Sequence, residues 1–226
     1  MIKIQDLHKK YGAKEVLKGI NLTLQKGKIY GIVGENGAGK TTLFRCIAGL
    51  EKHQGSIKSD FMPLKNHLGF FPTNPYFFPK ITGHEYLQLL CNARNIKVKD
   101  LDSKNIFDLP LQQYAITYST GMKKKLALTA LLLQHNDYFI LDEPFNGVDI
   151  QSNIIITEII QQLKTLNKIV LISSHIFSTL KTTCDEIHLL QNGLFTKSVQ
   201  QADFEKLERE MIDVTIGNSI AQLELR

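Results

Sequence analysis

The sequence predicts an α/β protein with a mainly parallel sheet, an antiparallel β subdomain at its N-terminus and a helical segment inserted in the α/β core. The first observation behind this is a pair of continuous apolar runs of strand length, Tyr138 to Leu141 and Lys168 to Ser173, separated by a helical stretch from Gln151 to Leu166. Runs of that kind are what parallel strands buried on both faces look like, and the stretch between them suits a crossover helix. The second is Lys28 to Val33, a buried-strand pattern that enters a Gly-rich turn and then a helical pattern from Thr41 to Leu50, stopped near Gly49. The third is that strand signals vanish from about Thr82 to Leu133.

At the N-terminus, Ile2-Lys3-Ile4 and Ile20 to Leu24 alternate apolar with polar residues and are separated by Gly12 and Gly19, as in a half-exposed antiparallel sheet. In the strand-poor segment, Thr82-Gly83-His84-Glu85 ahead of Tyr86 has the form of a helix capping box. No internal repeat or Pro/Gly/Ser linker interrupts the chain. One domain over residues 1–226 is expected, with a helical subdomain at about 74–133 and a C-terminal tail from about 194.

Composition bounds the function. The chain has 226 residues, 43% hydrophobic and 22% charged, which suits a globular core and excludes disorder, collagen and disulfide scaffolds. Lys and Arg number 27 against 22 Asp and Glu, a net +5 that suits an anionic ligand without being a polycation. Cys46, Cys91 and Cys184 are far apart and lack metal-ligand spacing, so they are expected as packing residues in a reducing cytoplasm. His8, His53, His67, His84, His135 and His188 show no ligand spacing either. The longest apolar stretch, Leu126 to Leu133 broken by Thr129, is far below the roughly 18 residues of a membrane span, and Met1 to Asp6 is no secretory signal. A soluble protein is expected, with any membrane role supplied by another chain.

The chemistry concentrates in Gly34-Glu35-Asn36-Gly37-Ala38-Gly39-Lys40-Thr41, a full P-loop match lying between an expected strand and an expected helix, with Thr42 following. Glycines let successive N–H groups converge, the helix N-terminus adds its positive dipole end, Lys40 reaches terminal phosphates and Thr41 offers a hydroxyl to Mg²⁺. A P-loop nucleotide-binding core follows. Tyr138 to Leu141 then ends in Asp142 and Glu143, carboxylates at the carboxyl edge of the sheet, where open α/β folds bind ligands. Asp142 suits a hydrated Mg²⁺ and Glu143 the attacking water, although paired acids after a strand also cap helices.

With these motifs in order, the chain resembles the ATP-binding cassette family, the nucleotide-binding subunits of ABC transporters, from Tyr11 to about Gly193. The resemblance implies that Tyr11 stacks on adenine, that Gly34 to Thr42 is Walker A, that Asp142 and Glu143 belong to Walker B, and that Ser119 and Gly121 lie in the signature loop. It further implies that His175 is the switch histidine, that Asp149 couples two subunits, and that the cofactors are ATP and Mg²⁺. In the family the signature loop completes the partner's site, so a second ATP-binding subunit, identical or not, and a separate integral membrane permease are implied partners. The implied location is the cytoplasmic face of the cell membrane, and no nucleic-acid partner is expected. Plainer readings stand beside these: Tyr11 as a strand-edge aromatic, His175 as a buried histidine, and Lys123, Lys124 and Lys125 as a solvated helix face. From sequence alone, Ser119 before Thr120 to Lys123 reads as a helix N-cap with its dipole end toward phosphate, and Lys123, Lys124 and Lys125 raise the local positive potential where they are not merely a solvated face.

The chain departs from the family in two motifs. Where the family has Gln as a Mg²⁺ contact after the strand ending in Phe71-Pro72, this chain has Thr73, which leaves its part in metal binding open. The signature reads Tyr118-Ser119-Thr120-Gly121-Met122, whose Tyr and Met resemble the cassettes of two-component exporters. Slow hydrolysis by the isolated subunit is expected from both changes. Phe71, Tyr76, Phe77 and Phe78, flanked by prolines, suggest an apolar socket for the permease, with internal packing as the alternative. The function expected is ATP hydrolysis powering export through a separate permease. The alternative is a soluble cassette ATPase acting on nucleic acid or ribosomes. A P-loop kinase or GTPase is disfavoured by the signature loop and the Asp142-Glu143 pair.

Overall fold

The computed structural model describes residues 1–216. The chain opens with β1 (Ile2–Tyr11) and β2 (Lys14–Leu24), continues through β3 (Lys28–Val33) into α1 (Lys40–Ile47), and then forms β4 (Gln54–Ser59) and β5 (Leu68–Phe71). Helices α2 (Gly83–Asn92) and α3 (Thr120–Leu133) follow, then β6 (Tyr138–Asp142), α4 (Ile150–Thr165), β7 (Ile169–Ser174), α5 (Phe177–Thr183), β8 (Glu186–Gln191), β9 (Leu194–Gln200) and α6 (Phe204–Ile216).

Two sheets form. The smaller is antiparallel in the order β2-β1-β4, and the larger has the order β5-β6-β7-β3-β8-β9. All neighbours in the larger sheet run parallel except β9, which returns antiparallel beside β8. The α/β class, the parallel core and the N-terminal antiparallel sheet are as the sequence indicates. The middle strands are buried on both faces, which explains their unbroken apolar sequence.

Strand periodicity sorts the core into two halves. Ile29, Val33, Phe139, Leu141, Val170 and Ile172 point to one face, where they pack with side chains of α3, α4, α5 and α6. Tyr30, Ile32, Tyr138, Ile140 and Leu171 point to the other, against Leu43, Phe44 and Ile47 of α1 and the apolar face of β1 and β2. The large sheet is thus sandwiched between a helical layer and the antiparallel sheet with α1.

Between β5 and β6 the chain adds no strand to either sheet: α2, α3 and two short 3-10 turns are joined by irregular segments, with one isolated bridge between Thr82 and Tyr114. The expected capping box is formed: the Thr82 hydroxyl accepts from the Glu85 amide at 3.1 Å, and Glu85 Oε2 accepts from the Thr82 amide at 2.8 Å. A cap of this kind stabilises a helix by about 1 kcal/mol. α2 and α3 then share a core built from Tyr86, Leu87, Leu111, Tyr118 and Leu126.

The expected tail is more integrated than its position beyond the last motif suggests. β9 extends the large sheet, and Phe204 and Leu207 of α6, three residues apart on one helix face, are buried in the main core. Residues 217–226 of that tail lie outside the described residues. Cys46, Cys91 and Cys184 are all buried free thiols.

Candidate functional site

The site forms where β3, β6 and β7 end together. Val33 pairs with Ser174 and Asp142 with Ser173, so the carboxyl ends of the three strands are level and their outgoing loops meet. A cavity of about 670 Å³ opens there, within the usual range for a small-molecule site.

Its floor is the loop from Gly34 to Gly39. Gly39 has φ of 112°, a left-handed conformation that favours glycine, and it turns the chain directly into α1. No side chain caps α1, so its first N–H groups face the cavity unclaimed, the arrangement that binds phosphate. The Lys40 ammonium spans the loop, donating to the carbonyls of Gly34 at 2.6 Å and Glu35 at 3.1 Å. Burial lowers its pKa, and the nearby Glu143 and Asp142 carboxylates oppose that shift. Asn36, Gly37, Thr41 and Thr42 line the same cavity, whereas Gly34 and Ala38 do not.

The opposite wall is acidic. Asp142 is buried at the end of β6 and accepts three hydroxyl hydrogen bonds, from Thr41 at 2.7 Å and Thr73 at 2.8 Å on Oδ2 and from Ser173 at 2.6 Å on Oδ1. Such an all-oxygen donor set suits a hard cation that keeps water and phosphate in its remaining positions, so these residues fit Mg²⁺. Glu143 follows with φ of 53°, its Oε2 lying 2.8 Å from His175 Nδ1. A carboxylate and an imidazole so paired beside a phosphate-binding loop can polarise and orient a water molecule.

Tyr11 stands at the rim, 44% exposed, with the Lys9 ammonium 4.5 Å from its ring centroid. That cation occupies one ring face, leaving the other available for stacking. Lys14 and Val16 of β2 extend the wall beside Tyr11, and Asn146 extends it beside Glu143.

Ser119, Gly121 and Asp149 lie outside this cavity. Ser119 caps α3, its hydroxyl accepting from the Met122 amide at 3.2 Å. Asp149 caps α4 through the Ser152 amide at 2.9 Å and pairs with Lys125 at 2.8 Å. Lys125, with the Ser152 amide and hydroxyl, holds the Asp149 carboxyl well below the usual carboxylate range.

Two sequence readings need correction. Lys123 to Lys125 are not a uniformly solvated face, because Lys124 is only 3% exposed and donates to the Glu143 carbonyl at 2.7 Å. The four aromatics near Thr73 do not form one surface. Phe71 and Phe77 are buried, Phe77 packing on Tyr86 at 4.6 Å, while Tyr76 and Phe78 are exposed and meet edge to face at 5.4 Å. Beside them a cleft of about 370 Å³ runs between Phe70, Pro75, Tyr76 and Leu90.

Sequence reasoning missed Ser173, Lys14, Val16 and Asn146, and for Lys124 it missed the burial and the bond to Glu143. Ser173 had a readable signal, as the first of two hydroxyl residues that close an otherwise apolar strand. Lys124 had none, since the same Lys triplet on a helix is ordinarily solvated.

Anion-binding backbone after one strand, facing carboxylates at the end of the strand two places away in a parallel sheet, is the organisation of P-loop nucleotide hydrolases, and this chain is of that class. The sequence model of the ABC transporter family matches residues 17–146, and the chain belongs to that family: it is an ABC transporter ATPase. It is 33% identical to the ABC transporter ATP-binding protein NatA of Bacillus subtilis over 85% of this chain and 87% of NatA. It is 32% identical to the bacitracin transport ATP-binding protein BcrA of Enterococcus faecalis, over 99% of this chain and 77% of BcrA. The ATP-binding cassette MJ0796, solved as a dimer in a post-hydrolysis state with ADP and Pi, shares the fold with a TM-score of 0.79 at 18% identity, over 89% of this chain and 99% of that one. Among the described residues no helix is long and apolar enough to cross a membrane.

Proposed function

We propose that this chain powers export by a separate membrane permease, through ATP-driven closure of two cassettes at the cytoplasmic face of the membrane. It acts as one ATP-binding domain with a helical subdomain at about 74–133. The observation that carries this reading is the meeting of Asp142, Glu143 and His175 with the uncapped N-terminus of α1 at one sheet edge.

In this reading Tyr11 stacks on adenine with its free face, and the Gly34 to Gly39 backbone and Lys40 bind the β- and γ-phosphates. The Thr41 hydroxyl and, through water, Asp142 would hold Mg²⁺, which neutralises charge on the phosphates, with Thr73 at the edge of that set. Glu143 accepts a proton from the attacking water as the oxygen bonds to the γ-phosphorus and the bridging oxygen to ADP departs. His175 holds Glu143 and the water in line. Ser119 and Gly121 serve the partner cassette's nucleotide and Asp149 the contact between subunits. This agrees with their positions outside this chain's own cavity.

The dimeric MJ0796 cassette supports the two-subunit arrangement, the name of BcrA supports a part in transport, and the resemblance of Tyr118 and Met122 to two-component exporters supports export as its direction. The test is hydrolysis by the purified chain with and without its membrane partner. Glu143→Gln should abolish turnover while ATP is still bound and should accumulate an ATP-dependent dimer. A Glu143→Gln protein that hydrolyses ATP at the wild-type rate contradicts the assignment.

A further inference from the structure

Helix α3 carries Ser119 at its N-cap and is joined to the segment Glu143 to Asp149 by three contacts. A Cβ on Gly121 would lie 3.0 Å from the Gly147 carbonyl, so only glycine lets the two backbones approach this closely without displacement. Lys125 pairs with Asp149 near the surface. Lys124 lies between them, buried, and its ammonium donates to the Glu143 carbonyl at 2.7 Å.

Glu143 needs such support. Its φ of 53° is a left-handed conformation that is uncommon outside glycine, and contacts that hold it offset its cost. Both ends of the residue are held: its N–H donates to Ser173 Oγ at 3.0 Å and its carbonyl accepts from Lys124. That backbone setting aims Oε2 at His175 Nδ1. The two holding groups come from different layers, Ser173 from β7 in the sheet and Lys124 from α3. A charged group buried merely to fill space is costly, and an apolar side chain would pack there without that cost.

We propose that Lys124 is a positioning residue for hydrolysis, which fixes the main chain of Glu143 and so ties the carboxylate's aim to the position of the signature end of α3. The inference rests on the reading of Glu143 as the group that polarises the attacking water. A shift of α3, such as a partner nucleotide at Ser119 would impose, reaches the carboxylate through this bond.

The experiment compares full-length wild type with Lys124→Met, Lys124→Arg and Glu143→Gln, measuring single-turnover hydrolysis of bound ATP and the Kd for ATP. Lys124→Met should slow hydrolysis by about 10- to 100-fold, the cost of a misaimed group, with Kd within about twofold of wild type. Lys124→Arg, which keeps a charged donor, should recover most of the rate. If the Met variant does not fold, Lys124→Gln provides the comparison. A folded Met or Gln variant with an unchanged rate overturns the inference, as does a joint loss of rate and affinity that Arg does not repair. Turnover retained by Glu143→Gln overturns the base reading and this one with it. Turnover lost there but unchanged in Lys124→Met overturns the role of Lys124 alone.

Discussion

His175 Nδ1 lies 2.8 Å from Glu143 Oε2, with 45% of the His175 side chain exposed and only 11% of the Glu143 side chain. The imidazole is therefore the more exposed partner of a half-buried carboxylate, and both line the cavity. Replacing His175 by Ala should leave ATP binding intact and lower hydrolysis by about a hundredfold or more, in the range of a lost acid-base partner. Rates and ATP affinity measured on the same preparation check this, and an equal fall in both would speak for a structural role.

Thr73 donates to the same Asp142 oxygen as Thr41. Two hydroxyls on one carboxylate oxygen anchor it well, but neither has the reach of a glutamine amide toward a cation. Thr73→Gln should raise hydrolysis by the isolated chain several-fold and lower the Mg²⁺ concentration needed for half-maximal activity. A Mg²⁺ titration of both proteins decides the point.

Neighbouring aromatics should respond in opposite ways. Phe78→Arg, at an exposed position, should leave folding and ATP binding unchanged and reduce recovery of the permease on co-purification. Phe77→Ala, in the core against Tyr86, should destabilise the chain by about 3–5 kcal/mol. Denaturant unfolding of each variant separates the two effects.

The buried thiols predict a pH dependence. Burial pushes Cys46 from its ordinary value near 9 up to about 11. The folded chain therefore keeps this proton where the unfolded chain gives it up, and the contribution is complete below pH 9 and falls away between 9 and 11. Cys184 is pushed higher still. Denaturant midpoints should decline across that window, and the decline should be smaller in Cys46→Ala. Alkylation of native protein at neutral pH should be slow and become rapid on unfolding.

Much of this was legible in the sequence because its signals are local. The phosphate loop, the strand ending in Asp142-Glu143 and the caps at Thr82 and Ser119 each depend on residues within one turn or strand. What escaped depends on packing between distant segments. Ser173 serves Asp142 only because β7 lies beside β6 in register, and Lys124 is buried only because α3 packs over the segment after Glu143. The aromatic cluster shows the same limit. Phe77 and Phe78 are adjacent and chemically alike, and the path of the backbone alone decides which enters the core.

The strand that ends in the phosphate loop has its only sheet neighbours, among the described residues, in β7 and β8. Both are made long after it during synthesis, because β3 ends at Val33 and β7 begins at Ile169. A nascent chain that has emerged only as far as α3 holds the complete loop motif but has no partner strand to anchor it. Long-range pairing of this kind is intrinsically slow to form. Nucleotide binding therefore comes late in the life of the chain and reports on its completeness: a truncated product carrying every residue of the loop would still lack the scaffold that turns it toward phosphate.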